Sequence, residues 1–222
     1  MSNDGLINDL VSEGVIRHQD VGAAMRKVDR AAFCPKDLPN RYVYQDSPLP
    51  IGYGETISAP HMHATCLELL RKHLHDGSRA LDVGSGSGYF TAAIGFMIKP
   101  SGKVIGIEKH PELVEYSIQR MRESYPGLLA SGVVDIRSGN VLGDALDDLE
   151  EHFDAIHVGA AAAAVPDVLV QKLKPGGRMV IPVGAQWENQ ILQVVEKDEK
   201  GKIKKYNVTG VRYVPLTKPG ED

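Results

Sequence analysis

This 222-residue sequence predicts an α/β fold: a doubly wound, mostly parallel seven-stranded sheet with a C-terminal antiparallel hairpin, preceded by N-terminal helices. Three observations predict it. From residue 79 onward, short apolar runs alternate with segments of helical periodicity, the pattern of parallel strands covered on both faces. The first run ends in Gly84-Ser85-Gly86-Ser87-Gly88, a strand-to-helix loop with glycine at every second position. The last two runs, 190–196 and 203–211, are joined by Asp198-Glu199-Lys200-Gly201, which reads as a hairpin turn.

Taken in order, apolar residues recur at helical spacing from Leu6 to Val28 with a break at Gly14, so two short helices are expected. Residues 31–60 hold five prolines plus Gly52 and Gly54, too irregular for a long element and too long for a routine connection; an ordered, functional loop is expected. Pro60 then opens a helix that ends near Asp76-Gly77. Strands are expected over 79–83, 103–107, 133–137, 153–158 and 178–183. Between them come helices over 89–98, 111–123 and 166–173, with a weak one around 145–150. Five parallel strands and an antiparallel pair make seven. One domain spanning 1–222 is expected, with helices and an active-site loop in 1–60 and the sheet core in 61–222.

The bulk numbers narrow the class. At 42% hydrophobic residues the chain can bury one sizeable core. Its net charge is −4, its pI is near 6.1, and its 25 basic residues are scattered rather than striped, so nucleic acid is not an expected partner. Cys34 and Cys66 have no C-x-x-C spacing, which argues against a disulfide framework or a zinc site and fits a reducing, cytoplasmic setting. The N-terminus lacks a basic stretch followed by an apolar core, and no apolar run approaches the ~18 residues of a membrane span. A soluble monomer that touches no membrane is the expectation.

The glycine loop can press its backbone against a ligand, which brings Gly84, Gly86 and Ser87 within reach of a cofactor. Twenty residues past Gly88, the run Val104-Ile105-Gly106-Ile107 ends in Glu108, the spacing of an acid that grips a ribose diol. The pair points to a nucleoside cofactor. Dinucleotide folds want G-x-G-x-x-G, whereas here Tyr89 stands in the third glycine's place, which disfavours NAD and favours S-adenosylmethionine. Asp82, on the last turn of its strand, is placed to accept a hydrogen bond or to oppose the sulfonium and amino group. Asn140 reads equally as an adenine contact or as a helix cap. The small residues of Gly159-Ala160-Ala161-Ala162 leave space over the methyl end, or mark a strand packed closely on a helix. No Asn/Asp-Pro-Pro-Tyr occurs, and Cys34 precedes Pro35 rather than following a proline, so nucleobase methylation is disfavoured.

Gly54-Glu55-Thr56-Ile57-Ser58-Ala59-Pro60-His61-Met62-His63 lies at a helix start, where free N–H groups favour anions. Ser58 lacks the G-x-S-x-G elbow of a hydrolase nucleophile. His61 and His63, two apart, fall on different faces of a helix and have no evident third ligand, so no metal is expected. Ser58 capping the helix, with or without holding a carboxylate, is the remaining reading.

These residues resemble the protein-L-isoaspartate (D-aspartate) O-methyltransferase family. The resemblance rests on Gln45-Asp46-Ser47-Pro48, Thr56-Ile57-Ser58-Ala59-Pro60-His61-Met62-His63-Ala64, Leu81-Asp82-Val83-Gly84-Ser85-Gly86-Ser87-Gly88, Ala155-Ile156-His157-Val158-Gly159-Ala160-Ala161, Lys174-Pro175-Gly176-Gly177-Arg178 and Tyr213-Val214-Pro215-Leu216-Thr217. It implies a Rossmann-like class I methyltransferase fold. The reaction implied is methyl transfer from S-adenosylmethionine to the free α-carboxylate of L-isoaspartyl and D-aspartyl residues, with S-adenosylhomocysteine as the product and repair through a succinimide. By the same resemblance Ser58 is the active-site serine, and Glu55, Thr56, Ile57, Ser58, His63, Asp82, Glu108, Lys109, Asn140, Val141 and Thr217 fall on cofactor contacts. The partners implied are isoaspartyl peptides and proteins; because 211–214 ends the hairpin near the cofactor, they are expected to lie extended across 31–60 and to pair with 211–214, so that Ser58, Ala59, Val211, Tyr213 and Val214 meet the substrate. Asn140-Val141 stands where animal members often have Asp-Gly, exchanging a carboxylate contact for an amide. The chain stops at Asp222, soon after Thr217, so a last segment that closes over the cofactor in longer members is expected to be lacking. The competing readings are another O-methyltransferase, which would not demand the Thr56 to Met62 stretch, and a non-catalytic adenosyl-binding protein, against which Asp82, Glu108 and Ser58 count.

Overall fold

The spacing of Leu6, Ile7 and Leu10 produces α1 (Asn3–Ser12), whose first turn is closed by Ser2 accepting from the Gly5 N–H at 3.2 Å. It packs on α2 (Gln19–Lys27), which buries Val21, Ala24 and Met25. The computed structural model describes residues 1–185 and 189–220. Residues 31–60 are ordered, and they hold more structure than the prolines suggested. A 3₁₀ turn (Arg30–Phe33) and α3 (Asn40–Val43) lead into a small antiparallel hairpin of β1 (Leu49–Gly52) and β2 (Glu55–Ile57).

The main sheet follows in β3 (Arg79–Val83), β4 (Lys103–Glu108), β5 (Val134–Ser138), β6 (Phe153–Val158), β7 (Leu173–Val183), β8 (Gln190–Lys197) and β9 (Ile203–Val211). Its order is β5-β4-β3-β6-β7-β8-β9. The first five strands are mutually parallel and the last two run antiparallel, as expected. The strand order reverses between β3 and β4 on one side and β6 on the other, and ligands of open α/β sheets bind at such a switch. Alternation along the strands splits the core in two. Ala80, Val104, Ala155 and Val180 face a layer holding α1, α2, α4 (Pro60–Leu70), α5 (Tyr89–Ile98) and α6 (Pro111–Ser124). Leu81, Val83, Ile105 and Ile156 face α8 (Asp167–Lys172) and the turns of 141–149. A short α7 (Pro126–Ala130) links α6 to β5.

Four expectations change. No helix forms around 145–150: Gly143 and four acids crowd the stretch, acids disfavour a helix C-terminus, and only i→i+3 bonds such as Asp147 N–H to Asp144 C=O (2.9 Å) appear. The helix opened by Pro60 stops at Leu70 and tightens into a 3₁₀ turn, Arg71–His73, which lets Leu74 reach the core. β7 begins at Leu173 rather than 178, because pairing on β6 resumes after an irregularity that absorbs Pro175-Gly176-Gly177. The capping reading of Ser58 also fails. Ala59 holds the N-cap position of α4 with no side-chain bond, and the His61 N–H is met by Asp46 Oδ1 at 2.9 Å. Across β8 and β9 the register slips so that Val208 bulges from the outer strand. Among the described residues no helix is long and apolar enough to cross a membrane.

Candidate active site

Beyond Val83 the chain turns through Gly84, Gly86 and Gly88 at φ of 70°, 51° and 87°, values that favour glycine. The Gly84 and Ser85 N–H groups donate to Ile107 C=O at 2.8 and 3.1 Å, fastening the loop to the end of β4. Glu108 ends that strand, 4% exposed, and its oxygens accept from the Gly86 N–H (2.9 Å) and the His110 N–H (3.1 Å). A carboxylate held this way keeps a free lone pair on each oxygen for a diol. Gly159, at the end of β6, closes the third side: a Cβ there would lie 3.0 Å from Gly84 C=O. Together these groups line a narrow cavity that continues past Gly139, Asn140 and Val141.

Residues 214–217 roof this cavity. Val214 C=O accepts from the Ala161 N–H at 2.8 Å, and the Leu216 N–H donates to Ala161 C=O at 2.7 Å. Lys109 Nζ donates to Thr217 Oγ1 at 3.2 Å, and Asn140 Nδ2 to Thr217 C=O at 2.9 Å. Asn140 Oδ1 accepts from the Leu142 N–H at 2.9 Å. The Asn140 amide thus caps no helix; it ties the roof to the sheet from the cavity's lining. Glu55 reaches Lys109 (3.8 Å) and His110 (3.5 Å) at the cavity's edge. Burial, with the charge of Glu108 adding to it, pushes the Glu55 carboxyl up from its ordinary value.

Next to it opens a wide cleft of about 1340 Å³, bounded by β2 and the start of α4 on one side and by β9 and residues 212–215 on the other. Ser58 and Ala59 lie on the first wall, and Val211, Tyr213 and Val214 on the second. Glu55, Thr56, Lys109, Gly159, Val214 and Pro215 line both cavities, so the two meet beside Ser58. The loop carrying Ser58 is shaped by Arg30, 1% exposed, whose guanidinium donates to Val43 C=O (3.1 Å), Ser58 C=O (2.9 Å) and Ser47 C=O (3.1 Å). On the opposite wall, Gln190 accepts from the Tyr213 N–H (2.6 Å) and donates to Tyr213 C=O (3.1 Å). The backbone of residue 213 is therefore already paired, and the free edge shifts to β9, the outermost strand of the sheet.

Of the expected cofactor contacts, Ile57, His63, Asp82 and Ser87 line neither cavity. Strand parity decides it for Asp82, which turns toward α4 and α5 while Val83 sits over the cavity. Fully buried, Asp82 accepts from Thr91 Oγ1 at 2.6 Å and bonds His157 Nδ1 at 2.8 Å. Burial opposes charge on His157, but its bonds to Asp82 and Cys66 outweigh it and lift the imidazole to about 9. His63 is buried between Tyr89 and Phe90, ring centroids 4.8 and 5.5 Å away, and burial drives it well below the usual histidine range. His61 instead pairs with Asp46 at 2.9 Å on the exposed side.

Sequence reasoning missed Arg30, Asp46 and Gln190, which shape the cleft without lining its reacting end. For Arg30 a signal existed, one cation inside Val28-Asp29-Arg30-Ala31-Ala32-Phe33. For Gln190 there was none, since its partner lies 23 residues away, and Asp46, quoted within Gln45-Asp46-Ser47-Pro48, was assigned no contact because His61 lies 15 residues on. Pro215 and Leu216 in the roof were quoted among the motifs but assigned no contact.

A family model described as protein-L-isoaspartate(D-aspartate) O-methyltransferase matches residues 1–221. A protein-L-isoaspartate O-methyltransferase of Triticum aestivum is 48% identical over 219 residues, covering 97% of this chain and 91% of that one. Its counterpart from Caenorhabditis elegans is 43% identical over 218 residues, covering 97% and 92%. Among solved structures, a Plasmodium falciparum beta-aspartate methyltransferase in complex with S-adenosyl-L-homocysteine superposes with a TM-score of 0.89 at 34% identity, covering 98% of this chain and 99% of that one.

Proposed function

This chain belongs to the protein-L-isoaspartate(D-aspartate) O-methyltransferase family, and from that premise we infer that it methylates isoaspartyl residues of damaged proteins at the free α-carboxylate, with S-adenosylmethionine as donor. The observation that carries the assignment of residues is the junction: Glu55, Thr56, Lys109, Gly159, Val214 and Pro215 belong at once to the narrow cavity and to the peptide-sized cleft. A donor held in the first would face an acceptor held in the second.

In the narrow cavity, Glu108 takes the ribose diol, the backbone of Gly84 and Gly86 lies against the amino-acid end, and Val141 meets the adenine edge. Glu55, Thr56, Lys109 and Thr217 close around it. The free lone pairs of Glu108 and the space kept by Gly159 support this fit. Ile57, His63, Asp82 and Ser87 act from behind, holding the cavity's walls, while Asn140 lines the cavity beside Val141 and ties it to the roof. The bound donor supplies an electrophilic methyl group on a sulfonium. The chain's own residues have little proton chemistry to perform, because a carboxylate of pKa ~4 is ionised at neutral pH. They position and they exclude water; in-line positioning is worth up to ~7–11 kcal/mol in favourable cases. Ser58 orients the acceptor carboxylate and attacks nothing. Succinimide closure of the ester needs no further group from the protein.

The peptide lies extended between Ala59 and the β9 edge, adding its backbone to Val211 and the residues before it, with the Tyr213 and Val214 side chains against it. Edge pairing reads backbone and tolerates varied side chains, as a repair enzyme requires. Residues 1–222 act as one methyltransferase domain, a reading supported by the core that α1 and α2 share with the sheet. The net charge of −4 and scattered basic residues support a monomer that binds neither nucleic acid nor membrane, and the free thiols of Cys34 and Cys66 support a cytoplasmic setting. The deciding experiment supplies labelled S-adenosylmethionine with one peptide in isoaspartyl and normal aspartyl forms. Label enters the isoaspartyl form alone; equal labelling of both, or of neither, overturns the reading.

A further inference from the structure

The wall that carries Ser58 is held by a cation with no anion beside it. Arg30 is 1% exposed, and its guanidinium donates to Val43 C=O (3.1 Å), Ser47 C=O (3.1 Å) and Ser58 C=O (2.9 Å). Neither nearby acid serves it. Asp29 accepts from the Ala31 N–H and from the Tyr44 hydroxyl, each at 2.9 Å, while Asp46 faces His61 at 2.9 Å on the exposed side. Among the described residues no carboxylate lies within ion-pair distance of the guanidinium. A buried charge met only by neutral dipoles is costly, and a neutral amide can bond carbonyls too. The site nevertheless holds a guanidinium, which stays charged.

Positive charge is otherwise scarce where an acceptor carboxylate would come to rest. Lys109 lines both cavities, but its Nζ is 3.8 Å from Glu55, and Glu108 lines the narrow cavity beside it. The start of α4, which favours an anion, is already taken by Asp46 Oδ1, accepting from the His61 N–H at 2.9 Å. Arg212 stands on the second wall and is exposed to water. Arg30 alone combines full burial with a direct bond to the backbone of Ser58.

We propose that Arg30 is a positioning residue whose buried charge selects an anionic acceptor, drawing the free α-carboxylate of the substrate to Ser58 without touching it. Its field crosses a wall that excludes water, so dissolved ions screen it little. The Ser58–Ala59 peptide carries the effect further. Lys99–Pro100 is the one cis bond among the described residues, so the 58–59 peptide is trans and its N–H lies opposite the guanidinium. A carbonyl that accepts from a cation makes the N–H of its own peptide a stronger donor, and the Ala59 N–H donates to no group among the described residues. The anion missing from beside Arg30 is then the substrate's own. Methyl transfer removes that charge, so the ester product loses the attraction that held the acid.

The test rests on the isoaspartyl reading. Calorimetry on the protein loaded with S-adenosylhomocysteine, where no transfer occurs, compares one isoaspartyl peptide carrying its free α-carboxylate with the same peptide carrying a neutral amide there. The unaltered protein should favour the acid about 30-fold, and keep at least about 10-fold between roughly 50 and 500 mM NaCl, because a buried charge is screened little. Arg30→Met should lower the preference about 10-fold. Arg30→Lys, which keeps the charge but loses the fork that bonds three carbonyls, should weaken both peptides alike and retain the preference. S-adenosylhomocysteine affinity should stay within about two-fold in both variants, since the donor lies on the other side of the junction. A merely structural role weakens acid and amide equally in Arg30→Met, and that result overturns the proposal. So does a preference that collapses in salt, which assigns the carboxylate to the exposed Arg212. The salt series needs no variant, so it decides the matter even where Arg30→Met fails to fold by circular dichroism. Absence of methyl transfer to the isoaspartyl peptide in the unaltered protein would instead remove the function reading, and this inference with it.

Discussion

The two cavities of this molecule, to which the proposed function assigns the donor and the acceptor, are built in opposite ways. The narrow cavity is made by consecutive or evenly spaced residues at strand ends: Gly84 and Gly86 after β3, Glu108 at the end of β4, Gly159 after β6. Its geometry is secured by backbone bonds such as Gly84 N–H to Ile107 C=O at 2.8 Å. The wide cleft is assembled from segments far apart in the chain, held by side chains that reach across loops: Arg30 to three carbonyls, Asp46 to His61, Gln190 to Tyr213. A nucleoside pocket can be a property of a fold; a pocket for a damaged peptide has to be stapled onto it.

The largest effect should come from the pair that underlies both sides. Asp82→Ala leaves His157 in the core without its carboxylate and costs about 3–5 kcal/mol of stability, measured by urea unfolding at pH 6.5. The cost depends on pH in a defined direction. His157 is raised from an ordinary value near 6.5 to about 9, so its stabilisation is complete below 6.5 and is lost as pH climbs through 9. The difference between the two proteins should therefore shrink over that window, by an amount of order 3 kcal/mol; a difference that grows with pH would contradict the pairing. Next in size, Glu108→Gln should weaken S-adenosylhomocysteine about 100-fold by calorimetry, a loss of ~2.7 kcal/mol. Smaller again, Ser58→Ala should lower kcat/KM for isoaspartyl peptide about 10-fold while S-adenosylhomocysteine affinity stays within two-fold. If Ser58→Ala weakened that ligand more than Glu108→Gln does, the division between the two sides would collapse.

How far the sequence could be read follows the same division. The strand over 79–83, the helix over 89–98 and the tight turn of the glycine loop between them were legible because periodicity and positive-φ glycines are local signals. The hairpin of β1 and β2 was hidden by prolines that an edge ribbon tolerates. Asp82 was legible as a hydrogen-bond acceptor at its strand's end, but its partners Thr91 and His157 were not, since a motif gives position and only the strand's alternation gives direction. Ser58 was expected to cap α4, and it does not, because Asp46 arrives from another segment to meet the His61 N–H. Asn140 likewise found a partner in Thr217, 77 residues away. Long-range partners of this kind leave no periodic trace.

The outer strand β9 carries one more consequence. A sheet edge open to a peptide, as proposed for β9, is also open to the edge of another copy, and a nine-residue exposed strand is a ready template for such self-pairing. This one bears Lys204 and Lys205, with Lys202 just before it, and the bulge at Val208 breaks its regular ladder. Two such edges brought together would set lysines against lysines and interrupt each other's hydrogen bonds. A lone extended segment, short and free to adjust, meets neither obstacle, so the same strand can welcome unfolded chain ends while resisting the aggregation that damaged proteins invite.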